Sequence, residues 1–173
     1  MKKILFAMLF ICFQYNIYAQ CTNAVPCFDF YIKTPNNSNV KACSVSYPSW
    51  FIQQADEESR AYAITVYESG TSTYNCHAYA WHVKEGKNKV WVNNICYEAG
   101  NLNAYWNDYS YTFYDKTTKP HLDNLKVFYV PDDYSAITTS NSNIFISKMG
   151  AGCLVSHTWN NSPYDHCMKN LYQ

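Results

Sequence analysis

Tyr74-Asn75-Cys76-His77-Ala78-Tyr79-Ala80-Trp81 is the stretch on which the reading of the whole chain turns. It follows a loop of small polar residues, Ser69 to Thr73, and opens an apolar run that predicts a helix over Asn75 to Lys84, stopped by Gly86 and Asn88. Cys76, Tyr79, Ala80 and Val83 recur at helical spacing and so share one face. A cysteine in the first turn of a helix meets free backbone N–H groups and the positive end of the helix dipole. Those features favour the thiolate, which is the nucleophilic form. Cys76 is therefore the candidate nucleophile.

Upstream, Ser49 is placed to cap a helix running to Glu58, and Arg60 to Tyr67 alternates like a strand, with Tyr62, Ile64 and Val66 on one side. Phe28 to Lys33 is a short strand in an otherwise irregular segment from Cys21 to Ser49, rich in Pro and Asn. Downstream, Val90 to Ile95 is extended. Tyr97 to Pro120 is crowded with aromatic residues, and Tyr109, Tyr111 and Phe113 fall on one side of an extended chain. Ordinary packing accounts for them better than an aromatic wall beside a groove. Leu125–Val130, Ser135–Thr139, Ile144–Ser147 and Leu154–Thr158 are strands separated by short polar turns, the pattern of an antiparallel meander. A helix ahead of an antiparallel sheet gives an α+β fold.

At 173 residues the chain is one domain, and 48% hydrophobic residues can form a core. The formal net charge of zero argues against a nucleic-acid groove or an anionic membrane surface as partner. Met1 to Ala19 reads as a secretory signal: Lys2 and Lys3, an apolar stretch from Ile4 to Phe13 too short to span a bilayer, and a small residue at Ala19 for cleavage. The mature domain is then residues 20–173, secreted or periplasmic, with no transmembrane segment; a lipid anchor at Cys21 fits the flanking residues less well. Cleavage leaves seven cysteines, Cys21, Cys27, Cys43, Cys76, Cys96, Cys153 and Cys167. An odd number in an exported protein points to three disulfides and one free thiol, and Cys76 is the best candidate for that thiol.

A thiol at a helix start followed by an antiparallel sheet resembles the papain-like cysteine hydrolases of the compact NlpC/P60 and CHAP type. The chain more closely resembles a family of uncharacterised secreted bacterial proteins with five ordered motifs. Tyr-Asn-Cys-His-x-Tyr-Ala-Trp is present as Tyr74 to Trp81. Asp-His-Ser-Ala appears as Asp133-Tyr134-Ser135-Ala136, and Ile-Ser-Lys-Trp-Gly as Ile146 to Gly150 with Met149 in place of Trp. Arg-His and Cys-Pro-Tyr appear as Ser156-His157 and Ser162-Pro163-Tyr164. The resemblance implies an α+β, papain-like (NlpC/P60-type) domain that cleaves a peptide or amide bond through Cys76, peptidoglycan included. It puts the base histidine at Tyr134, where a phenol of pKa about 10 is a poor base at neutral pH. It puts the group that would orient that base at Ser147 or Lys148.

Two readings follow. In one, an active hydrolase recruits His157 from the neighbouring strand as its base, and Cys76, His157 and Tyr134 form the catalytic set. In the other, the loss of the histidine leaves an inactive relative that binds a peptide or glycan in the same cleft. A metal site from Cys76, His77 and His82 is disfavoured, because a five-residue spacing does not align two histidines on one helix face. No cofactor is expected, and neither a nucleophilic-serine motif nor a phosphate loop is present.

Overall fold

Two antiparallel sheets meet at one short helix. In the computed structural model, residues 28–92, 101–130, 134–164 and 168–173 are described. The signal segment, Cys21, Cys27, Cys96, Asp133, His166 and Cys167 lie outside the described residues, as do residues 93–95 of the extended segment expected up to Ile95. The smaller sheet joins β1 (Phe28–Lys33), β2 (Asn39–Ser44) and β4 (Trp91–Val92) in the order β1-β2-β4. The larger has six strands in the order β3-β8-β7-β6-β5-β9, namely β3 (Thr65–Glu68), β5 (Lys126–Val130), β6 (Tyr134–Thr138), β7 (Ile144–Lys148), β8 (Leu154–Thr158) and β9 (Met168–Tyr172). Helix α1 spans Ser49–Arg60, α2 spans Cys76–Trp81 and the one-turn α3 spans Ala104–Asn107.

The fold is mixed α and β with antiparallel sheets throughout, and the meander β5-β6-β7-β8 runs as its consecutive strands and short polar turns predict. Three local readings are corrected and one strand is added. The segment after Lys33 is not irregular but turns at Asn37 (φ 72°) into β2, whose Val40, Ala42 and Cys43 are buried. Pro48, not Ser49, occupies the N-cap position of α1, with no side-chain capping bond. The C-terminal β9 pairs with β5 from Lys126↔Tyr172 to Val130↔Met168. Tyr109 and Phe113 are exposed while Tyr111 is buried, because Tyr109 sits at φ 63° and breaks the extended run.

The main core gathers on α2 and both sheets: Ile32, Val40 and Val92 from the small sheet, Tyr74 and Ala78 to Trp81, Tyr105 and Tyr111, and Ile137, Leu154 and Tyr172 from the large one. On the far side, α1 presses on the β7–β8 turn. A Cβ on Gly152 would come within 2.5 Å of the Ala55 carbonyl and of the Ser59 hydroxyl, so glycine is what lets the turn approach. No helix among the described residues is long and apolar enough to cross a membrane.

Candidate functional site

Tyr74, Asn75, His77 and Trp81 of the motif each make side-chain hydrogen bonds. Asn75, extended at φ −114°, caps α2 by accepting from the Ala78 N–H at 3.0 Å. The same amide accepts from the Val92 N–H (3.3 Å) and donates to the Val92 carbonyl (2.7 Å), which fastens the helix start to β4. Tyr74 donates to Glu68 at 2.7 Å. Trp81 donates to the Ser135 hydroxyl at 2.9 Å, and His77 Nδ1 lies 2.8 Å from the same oxygen, so one hydroxyl of β6 docks both ends of α2. The helix is six residues long rather than ten, and then tightens into a 3₁₀ turn over Val83–Glu85 that Gly86 ends at φ 74°. Fewer than two turns of α-helix align few peptide dipoles.

Cys76 is buried in an aromatic cluster with Val127, Tyr129, Tyr134, Ala136 and Phe145, flanked by Met149, Trp159 and Tyr164. Tyr164, from the Ser162-Pro163-Tyr164 segment, stacks on the Tyr134 ring at 4.1 Å between centroids. Three strands then contribute one link each to a hydrogen-bond chain. The Tyr134 hydroxyl of β6 contacts the Ser147 hydroxyl of β7, and Ser147 Oγ lies 3.0 Å from His157 Nε2 on β8. His157 Nδ1 lies 2.9 Å from the Thr158 carbonyl, so Nδ1 carries the proton and donates to it. Nε2 of the neutral ring therefore accepts from Ser147, and Tyr134 donates to Ser147, with Met149 Sδ also 3.0 Å from its hydroxyl. Among the described residues no hydrogen bond joins Cys76 to Tyr134 or to His157. The structure thus gathers Tyr134 with Cys76 in one cluster, and links His157 to Tyr134 by hydrogen bonds through Ser147.

Electrostatics follow from burial. Tyr134 is held well above the usual tyrosine value, first by burial and then by the charge Cys76 would carry if ionised. Burial holds His157 below the usual histidine value, and does the same to His82, whose Nε2 lies 3.1 Å from Asn88 Oδ1. Stability therefore depends on pH with a definite sign. At pH above about 6.5 the folded and unfolded chains both carry neutral imidazoles. As pH falls from there through the lower folded-state values, the unfolded chain takes up protons that the folded chain refuses, and stability drops. The urea midpoint is expected to fall between pH 7.5 and pH 5, and His157→Gln is expected to flatten that slope in part, His82 supplying the rest. An unchanged slope in His157→Gln would show that His157 is not held neutral.

Behind the cysteine, two groups fix the approach loop. Lys148, fully buried at the end of β7, donates to the carbonyls of Thr71 (3.3 Å), Gly150 (2.7 Å) and Gly152. Burial lowers its pKa to about 7, while the three carbonyls around it favour the ammonium form. Asp56 of α1 accepts from the Gly70 N–H, from Arg60 Nε at 2.7 Å and from the Cys153 thiol at 2.9 Å. Cys153 is accordingly a free thiol, as Cys76 is, so Cys76 is not the single free cysteine expected. Sequence reasoning put Lys148 in the site only as an orienting group. Its work on Thr71, and the place of Asp56, were not visible, because both depend on turns that close between distant segments.

Cys76, His77 and His82 diverge, toward the aromatic cluster, Ser135 and Asn88 respectively. Among the described residues no cluster of three His, Cys, Asp or Glu side chains could hold a metal ion. No protein-family model, curated protein or solved structure matches the chain.

Proposed function

We propose that the chain is an exported, catalytically silent relative of the papain-like hydrolases that binds a peptide. One observation supports this above all: Tyr134 stands where the resemblance expects the base, fully buried, its hydroxyl engaged by Ser147 and Met149. A base has to accept the thiol proton. Tyr134 is held protonated, and the His157 imidazole already accepts from Ser147. Ser147 stands where the resemblance would put an orienting group, and a phenol stands where it would put the proton acceptor.

The same chain of hydroxyls favours a second reading, an active cysteine hydrolase acting on a peptide or amide bond, peptidoglycan included. The thiol proton would pass to the Tyr134 oxygen as Tyr134 hands its own to Ser147 and Ser147 hands its own to His157 Nε2. That step ends on an imidazolium, which the burial of His157 opposes, so the silent reading is preferred.

Alkylation by iodoacetamide at pH 7, read peptide by peptide by mass spectrometry so that Cys76 is separated from Cys153, distinguishes the two. Wild-type Cys76 is expected to react slowly, and Tyr134→His to speed it by about 10²-fold, the scale of one restored general base. A wild-type Cys76 that already reacts as fast as the Tyr134→His variant would overturn the silent reading.

A further inference from the structure

Lys148 is fully buried, and among the described residues no carboxylate lies within ion-pair distance of its ammonium group. Its partners are three carbonyls, Thr71 on the loop ahead of Cys76 and Gly150 and Gly152 on the β7–β8 turn. An ammonium has three donors, one for each. The loop is wedged against the turn. The Thr71 N–H donates to the Ala151 carbonyl at 2.8 Å, and a Cβ on Gly70 would come within 2.9 Å of that same oxygen. Thr71, Ser72, Met149 and Gly150 are half-buried, so the knot lies one layer beneath the surface. The charged and titratable groups around it do little to hold the cation. Glu68, at the end of β3, attracts it, but that carboxylate is taken up by Lys89 at 2.8 Å and by Tyr74 at 2.7 Å. Lys89, ahead of β4, repels it, and the Tyr74 ring lies 5.2 Å away. Cys76 of α2 and Cys153 of β8 attract it only as thiolates, and Cys153 keeps its proton on Asp56, which also serves Gly70 and Arg60 of α1.

We infer that the loop at 70–73 and the turn at 150–152 form a clasp that is closed over Lys148 and opens as the medium acidifies, loosening the segment that enters Cys76. A buried charge without a counter-ion is costly, and neutral carbonyls offset only part of its lost hydration. Burial accordingly brings Lys148 down to about 7, whereas in water a lysine stays charged up to about pH 10.4. Lifting the loop off the turn lets the long stem carry the amine to water, so opening takes up a proton. Between about pH 10 and pH 7 the open form holds that proton and the closed form has lost it. Each unit of acidification there favours opening by about tenfold, and below about pH 7 both forms hold the proton and the dependence ends. That window lies above the one in which His157 and His82 act. The clasp operates whether Cys76 is silent or reactive, because no step uses the thiol.

The test is amide hydrogen exchange at Gly70 and Thr71, whose N–H groups are both tied inside the clasp, from pH 9 to pH 6 and corrected for the intrinsic rate. Corrected exchange is expected to rise by at least about tenfold from pH 9 to pH 7 and to level off from pH 7 to pH 6. Lys148→Met, similar in length and uncharged, is expected to abolish the rise. The wild-type profile is decisive by itself, so the outcome does not hang on whether that variant folds. A flat wild-type profile or an equal rise in Lys148→Met would overturn the clasp. So would exchange at Thr71 no faster than at Ala136 of β6, since the loop would then open only with the whole fold.

Discussion

Trp81→Ala is expected to lower the free energy of unfolding by about 3–5 kcal/mol, the range for deleting a buried tryptophan. Trp81 is 1% exposed and has four aromatic neighbours, Tyr105, Trp106, Tyr111 and Tyr172, with ring centres 5.4–5.6 Å away. Those rings come from α3, the loop after it and β9, so the indole is where three separately folded segments meet. They are held by backbone bonds of their own, such as Thr112 N–H to Gln173 O, and cannot simply collapse into the space left behind. Trp81→Phe keeps most of the apolar contact and removes the bond to Ser135, and is expected to cost about 1–2 kcal/mol. Urea unfolding followed by circular dichroism measures both. A loss below about 1 kcal/mol for Trp81→Ala would mean that the site collapses and that the aromatic cluster is not rigid.

Asn75→Ala is expected to cost about 2–4 kcal/mol, from a lost N-cap of about 1 kcal/mol and the orphaned N–H and C=O of Val92. The two parts can be separated. Asn75→Ser keeps a capping oxygen but is too short to serve Val92 as well, so it should retain most of the loss if the bond to β4 dominates. The clearest sign is local: in Asn75→Ser, amides of β2 and β4 should exchange with solvent faster than those of β6 and β7. Uniform acceleration would mean that the cap alone matters. Because Val92 is fully buried, water cannot replace the missing amide without opening the small sheet.

The parts of this fold punctuated by short polar turns were legible. Between Lys126 and Thr158 those turns separate four strands, which pair as neighbours. What failed were segments whose burial contradicts residue type. In β9, Lys169 is buried beneath two rings while Met168 is exposed, so the strand carries no readable pattern. In β2 the cue was hidden by the Asn-rich turn ahead of it. The site was half legible. Cys76 and Tyr134 could be named, and Ser147 proposed, from motif order. That Ser147 bridges Tyr134 to His157 depends on the register between three strands, and register is set by tertiary pairing that a local pattern does not contain. His157 was proposed for its neighbouring strand and does lie there, with its ring turned to Ser147.

The pairing of β3 with β8 has a consequence for how the molecule comes into being. Thr65 faces Ser156 and Val66 faces Val155, partners about ninety positions apart, whereas β5 to β8 find one another within a few dozen residues. Closing the longer loop costs more entropy and comes later. A chain made from its N-terminus has Cys76, α1 and β3 in hand long before the strand that anchors them exists. The C-terminal meander is then the platform that forms first, and the cysteine half is recruited to it. Over that interval the thiol is exposed to solvent, so the window in which Cys76 meets oxidants or other thiols closes when β5 to β7 and the segment carrying Trp159 and Tyr164 cover it.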